Sequence, residues 1–302
     1  MNRAEVMEAV QRSTLEEKPQ SPFPQTREEK VLKEIAREVR KDVIRMTTEA
    51  GSGHPGGSLS ATDLLVALFW GELRHMPHDR YWPDRDRFIL SKGHGCPALY
   101  SVYARTGYIS MDILPTLRKL GSPLQGHPCM IHLPTLEIST GSLGHGLSVG
   151  NGMALAGRLD RKDYRVYVMM GDGEQQEGSV WEAAMSGAHY KLDHVCGIID
   201  YNHLETDGTV EEVMDIAPLA EKWRAFGWHV IEIDGHNFKE IFSALDEARV
   251  TTGKPTVIVA QTVKGKGVSF MENNVDFHGK SATREQMEQA LKELEEDKFN
   301  EL

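Results

Sequence analysis

Two apolar runs of the sequence each end in an oxygen donor suited to a hard cation. Val166-Tyr167-Val168-Met169-Met170 leads directly into Gly171-Asp172-Gly173-Glu174. Val195-Cys196-Gly197-Ile198-Ile199 leads into Asp200-Tyr201-Asn202, which puts Asn202 thirty residues after Asp172. If the runs are adjacent parallel strands, the Asp172 carboxylate and the Asn202 amide can point at one ion. With a nearby backbone carbonyl such as that of Leu204, this oxygen-only set suits Mg²⁺, with Ca²⁺ or Mn²⁺ as alternatives; water and phosphate oxygens would fill the remaining positions. Glycines on both sides of Asp172 allow the backbone to approach those phosphates and donate N–H groups.

Four histidines sit in glycine-rich turns: Ser52-Gly53-His54-Pro55-Gly56-Gly57, Ser91-Lys92-Gly93-His94-Gly95, Gly126-His127-Pro128 and Phe277-His278-Gly279. A single such histidine is ordinary loop structure. Four of them, each beside glycine where backbone passes close to a ligand, point to a site. Neutral imidazoles near pH 7 suit proton transfer, worth about 10²–10⁴-fold in rate. A further glycine-rich run, Thr140-Gly141-Ser142-Leu143-Gly144-His145-Gly146, precedes a helical pattern. Lys264-Gly265-Lys266-Gly267 lacks the spacing of a Walker loop.

The elements that must position these residues are strands buried on both faces. Phe88-Ile89-Leu90 and Val257-Ile258-Val259-Ala260 join the two runs above, and helical patterns separate them over 144–158, 179–190, 218–226 and 239–249. Strands alternating with helices imply an α/β fold, a mostly parallel, doubly wound sheet with helices on both faces, whose ligands bind outside the strands' carboxyl ends. Ahead of them, Val31, Ile35, Val39, Val43 and Met46 recur every three or four residues and predict one long amphipathic helix. Residues 1–26 are polar and proline-bearing and read as an arm; 27–282 form the folded domain; 283–302 read as a C-terminal helix and acidic tail.

A chain of 302 residues with 40% hydrophobic content can bury a large core, which excludes disorder as a class. The net charge of −11 argues against nucleic-acid and anionic-membrane partners, and no run approaches the length of a membrane helix. Cys96, Cys129 and Cys196 are odd in number and form no CxxC pair, so a disulfide framework or structural zinc is not expected. A cytoplasmic protein follows by default.

The GDG that ends in Asn about thirty residues later resembles the fingerprint of thiamine-diphosphate enzymes. SGHPG, GHG, GHP and the late HG turn, with the 140–146 loop, narrow the resemblance to transketolases. It covers about residues 27–280 and is close to the N-terminal subunits of split transketolases, less close to full-length enzymes. The resemblance implies that Asp172, Asn202 and the Leu204 carbonyl bind the metal. His94, Gly173 and Asn202 would contact the diphosphate, and Gly141, Ser142 and Leu143 the cofactor ring. His54 and His278 would act beside the substrate hydroxyl that loses its proton, with His278 also reaching the cofactor, and His127 would hold the donor's terminal hydroxyl. Glu177 matches the family glutamate that meets a catalytic glutamate across the domain interface; the simpler reading is a first-turn helix carboxylate.

The implied activity is transfer of a two-carbon ketol unit from a ketose, of sugar-phosphate type, to an aldose. The family's catalytic glutamate belongs to a pyrimidine-binding domain for which no second α/β unit remains after Lys280, so activity is expected only with a partner subunit, in a heterotetramer. Two sequence departures bear on the funnel: His145 stands where Gln is common, and Phe277 where Trp is usual. Alternatives are a 2-oxo-acid dehydrogenase α subunit, which would not carry SGHPGG, GHG and GHP together, a deoxyxylulose-phosphate synthase, and a non-catalytic cofactor-binding subunit.

Overall fold

The structure is a computed structural model that describes residues 25–296. The arm expected for residues 1–26 therefore lies outside the described residues, apart from its last two. Of these, the Gln25 side chain donates to the Leu73 carbonyl at 2.8 Å and the Thr26 N–H to the Trp70 carbonyl at 2.7 Å.

Five strands form one sheet: β1 (Arg87–Leu90), β2 (Val166–Gly171), β3 (Val195–Tyr201), β4 (His229–Asp234) and β5 (Thr256–Gln261). Their order is β1-β2-β3-β5-β4, and every pairing is parallel. Because side chains alternate along a strand, each central strand feeds two cores. Tyr167, Met169, Cys196, Ile198, Ile258 and Ala260 pack on one face. Val166, Val168, Met170, Val195, Ile199, Val257 and Val259 pack on the other. Both faces are apolar, so these strands read as continuous hydrophobic runs.

The first face is covered by helices Glu29–Ala50, Thr62–Gly71, Cys96–Thr106, Phe238–Val250 and Arg284–Glu295. The long first helix buries Val31, Ile35, Val39, Val43 and Met46, the stripe read from the sequence, and ends at Gly51 in the left-handed conformation (φ 63°). The C-terminal helix starts at Thr283 with a capping box to Gln286 and sets Ala290 and Leu294 into the same core. Helices Gly146–Leu159, Gly178–His189 and Leu219–Ala225 cover the second face.

Strand β4 is an addition to the sequence reading. It lies at the sheet edge, where Glu232 and Asp234 are exposed and only Ile233 is buried. An edge strand needs no continuous apolar run, so the pattern that marks the central strands is absent from it. Helix Thr62–Gly71 was not expected either, because it is buried on every side and shows no amphipathic period.

Candidate active site

The carboxyl ends of four strands deliver residues to one place. Strand β1 leads to Ser91-Lys92-Gly93-His94, β2 to Asp172, β3 to Asn202 and Leu204, and β5 to Thr262 and Lys264. Gly171 pairs with Asp200, so Asp172 and Asn202 lie one and two residues past paired positions on adjacent parallel strands. This is the side-by-side arrangement that two donors to one ion require.

Asp172 is almost fully buried. Its Oδ1 accepts the Gly173 N–H at 2.8 Å, and its Oδ2 accepts the His203 N–H at 2.6 Å from a residue held at φ 64°. Burial, and then the nearby Asp200 charge, push its carboxyl up to about 6. Asn202 Oδ1 accepts the Leu204 N–H at 3.2 Å, while its Nδ2 donates toward Asp200 at 3.3 Å. Asp200 has no exposed surface and is ion-paired with Lys92. It also accepts from the hydroxyls of Ser60, at 2.6 Å, and Thr262. The Lys92 charge and the hydrogen bonds hold its carboxyl below the usual carboxylate range in spite of burial.

The histidines converge on His54, which lies at the N-cap position of the buried helix Pro55–Ser60, with Pro55 starting the helix. Its ring centroid lies 5.5 Å from that of His94, 5.8 Å from His127 and 5.6 Å from His278; His94 and His278 stack at 5.2 Å. Burial, followed by the Arg118 charge, pushes the His54 imidazole down to about 4. Burial and then Lys264 push His278 down to about 3. Burial takes His94 well below its ordinary value, and burial with Arg118 lowers His127. All four rings are therefore neutral near pH 7.

Lys264 joins the two groups of residues. Its buried ammonium donates to the Leu204 carbonyl at 2.6 Å and lies 2.7 Å from His278 Nδ1. Burial lowers it to about 8. The sequence offered no signal for this lysine, because its glycine-rich surroundings match no phosphate loop; its partners lie 60 and 14 residues away. Glu174 was also missed. Its Oε1 accepts the Gly144 N–H at 2.9 Å and the Ser91 hydroxyl, and its Oε2 accepts the Gly171 N–H at 3.0 Å. It thus fastens the 140–146 loop and the β1 turn to β2, and burial raises its carboxyl.

That loop presents Gly141 at φ 141°, which only glycine adopts readily, then exposed Ser142 and half-buried Leu143. Glu177 is exposed at the N-cap position of helix Gly178–His189 and makes no side-chain capping bond. His145 is exposed at the N-cap position of helix Gly146–Leu159. Phe277 is 5% exposed and packs edge-on to Phe270 in the core, holding the turn that carries His278.

A cation fits the floor on the chemistry of its donors. Asp172, the Asn202 amide and the Leu204 carbonyl are hard oxygens, and an ion beside Asp172 would offset the cost of a buried carboxylate. Among the described residues no three His, Cys, Asp or Glu side chains group as a metal cluster, as follows when one donor is an amide and another a backbone carbonyl. Cys96, Cys129 and Cys196 are free thiols. Among the described residues no helix is long and apolar enough to cross a membrane.

Comparison with known proteins gives the arrangement a family. Residues 31–300 match the family described as transketolase, thiamine diphosphate binding domain. The chain is 44% identical over 266 residues to the 6-deoxy-6-sulfo-D-fructose transketolase subunit of Clostridium sp. (strain MSTE9), covering 88% of this chain and 97% of that protein. It is 45% identical over 257 residues to an apulose-4-phosphate transketolase subunit of Phocaeicola vulgatus, covering 85% and 91%. The crystal structure of transketolase from Campylobacter jejuni superposes with a TM-score of 0.84 at 33% identity, over 88% of this chain but only 43% of that one. The chain therefore belongs to the transketolase family, as its N-terminal, thiamine diphosphate-binding part.

Proposed function

We propose that this chain is the N-terminal subunit of a two-subunit transketolase that transfers a two-carbon ketol unit from an anionic ketose to an aldose. The observation that carries the reading is Lys264, whose ammonium touches both the Leu204 carbonyl of the floor and the His278 ring of the rim. Cation site and histidine cluster are thus one continuous site. The names of the two relatives, each described as a subunit and matched by this chain over nearly its full length, support a divided enzyme. One of those names carries a sulfonated sugar and the other a phosphorylated one, which supports an anion at the far end of the substrate without choosing its kind.

Asp172, Asn202 and the Leu204 carbonyl would hold Mg²⁺. His94, Gly173 and Asn202 would contact the diphosphate, with Gly141, Ser142 and Leu143 against the ring system. Thiamine diphosphate, when bound, supplies the electron sink for breaking and forming the sugar's carbon–carbon bond. The neutral rings of His54 and His278 would stand beside the reacting hydroxyl that loses its proton, and exposed His127 would hold the terminal hydroxyl of the donor. Burial keeps these imidazoles uncharged, so they can engage sugar oxygens at neutral pH without first losing a proton.

The partner would carry the pyrimidine-binding domain and a catalytic glutamate. Exposed Glu177 and Ser142, with Val149 at 37% and Met185 at 63% exposure on the two helices that start beside them, support this face as the partner's seat. An obligate interface there would exceed roughly 2,000 Å², and the family's pairing would give a heterotetramer. Free thiols fit a reducing cytoplasm. The test is turnover of ketose donors by the purified chain with and without its partner. The proposal expects turnover only with the partner; robust turnover by the chain alone would refute it.

A further inference from the structure

Arg118 reaches the site from a loop to which the sequence assigned no chemistry. Its Nη2 lies 3.3 Å from His54 Nδ1. A guanidinium has only N–H donors and keeps its charge, so the imidazole nitrogen facing it has to accept. We infer that Arg118 is a positioning residue that fixes His54 as the tautomer protonated at Nε2, so that His54 meets the sugar as a hydrogen-bond donor and not as a base.

The seat of Arg118 is specific. Its backbone takes φ 61°, unfavourable for a residue with a side chain, and its N–H donates to the Leu124 carbonyl at 2.8 Å. The guanidinium lies against the backbone at Gly126, where an added Cβ would fall 2.9 Å from its central carbon. A side chain there would push the guanidinium aside. A strained turn and a bare backbone position thus combine to bring one cation to the Nδ1 edge of one imidazole.

The opposite edge of His54 faces the funnel. A Cβ placed on Gly279 would lie 4.0 Å from His54 Nε2, and the rings of His94, His127 and His278 stand around it. The charges facing His54 from the packed elements are Arg118, Lys264 and Lys92, and its titratable neighbours are the rings of His94, His127 and His278. All of them disfavour a second proton on the ring. His54 is therefore a neutral donor, stabilising negative charge that develops on a sugar oxygen without taking its proton, and proton removal falls to another group of the funnel.

The tautomer is independent of the transketolase reading; its kinetic consequence rests on it. Long-range ¹H–¹⁵N correlation spectra of the full chain with labelled histidine, His54 being assigned by its loss in His54→Gln, should show Nε2 protonated and Nδ1 bare near neutral pH. That measurement needs no Arg118 variant, and a proton on Nδ1 would overturn the inference. Arg118→Ala, at an exposed side chain, should mix the tautomers and raise the imidazole's pKa, whereas Arg118→Lys, another donor-only cation, should restore Nε2–H in part. An unchanged tautomer in Arg118→Ala would also overturn it. With the partner present, Arg118→Ala should lower kcat about tenfold or more and KM less. A shifted tautomer with unchanged kcat would contradict the donor role of His54 while leaving the cofactor-binding reading intact.

Discussion

At the strand ends, Asp172, Asp200, Lys92 and Asn202 are almost entirely buried and bonded to one another or to backbone. At the rim, His54, His94, His127 and His278 are half-buried or exposed rings 5.2 to 5.8 Å apart, with Arg118 and Lys264 beside them. The floor concentrates ionised groups where they are costly, and the rim strips charge from groups that usually carry some. The difference separates two tasks. A fixed anionic floor suits holding a cation and its phosphates, whereas neutral donors and acceptors suit a sugar whose protons must move.

The largest effect that would break this division is at Asp172. Asp172→Ala should weaken thiamine diphosphate binding in Mg²⁺ by more than about 10²-fold, since losing even a group that supports a metal ligand reaches that range. It should leave the fold intact, because a carboxylate pushed up to about 6 by burial is a net cost to the metal-free chain at neutral pH. Thermal unfolding measured beside calorimetry checks both halves. Lys92 would be a poor choice for the same test. Removing it strands Asp200 as an unpaired buried charge, at about 3–5 kcal/mol, and a binding loss could then be unfolding.

His278→Ala should act on the other region. We expect kcat to fall on the order of 10²-fold while thiamine diphosphate affinity changes much less; equal losses in both would merge rim and floor into one task. The smallest effect is on stability against pH. His54 and His278 titrate at about 4 and 3 in the folded chain, below the ordinary 6.5, so the unfolded chain binds more protons between these values. Their contribution is present above about pH 6.5 and is lost as pH falls toward 4. His54→Gln should flatten that acid limb in denaturant titrations, and an unchanged slope would contradict the burial of a neutral ring.

Sequence was a good guide wherever one segment carries its own pattern. The central strands announce themselves as apolar runs because both faces are covered, and Asp172 and Asn202 follow from where those runs stop. The histidines stand out by their glycine neighbours. What stayed hidden depends on contacts between distant segments. Arg118 is 64 residues from His54, and Lys264 is 60 from Leu204. Glu174 gave no signal in its own segment, because Gly144 and Ser91, which bond to it, lie 30 and 83 residues away. Strand β4 and helix Thr62–Gly71 were missed for opposite reasons, the one too polar for a central strand and the other too apolar to show a period.

The central claim, that a buried oxygen-lined floor binds the cofactor through a divalent ion, is tested most directly by titrating thiamine diphosphate into the wild-type chain by calorimetry, once with Mg²⁺ and once after chelation. The account predicts saturable binding with Mg²⁺ and its loss on chelation, regained when Mg²⁺ or Ca²⁺ is added back. Equal affinity with and without the metal would contradict it, because Asp172 and Asn202 would then have no ion through which to hold a diphosphate.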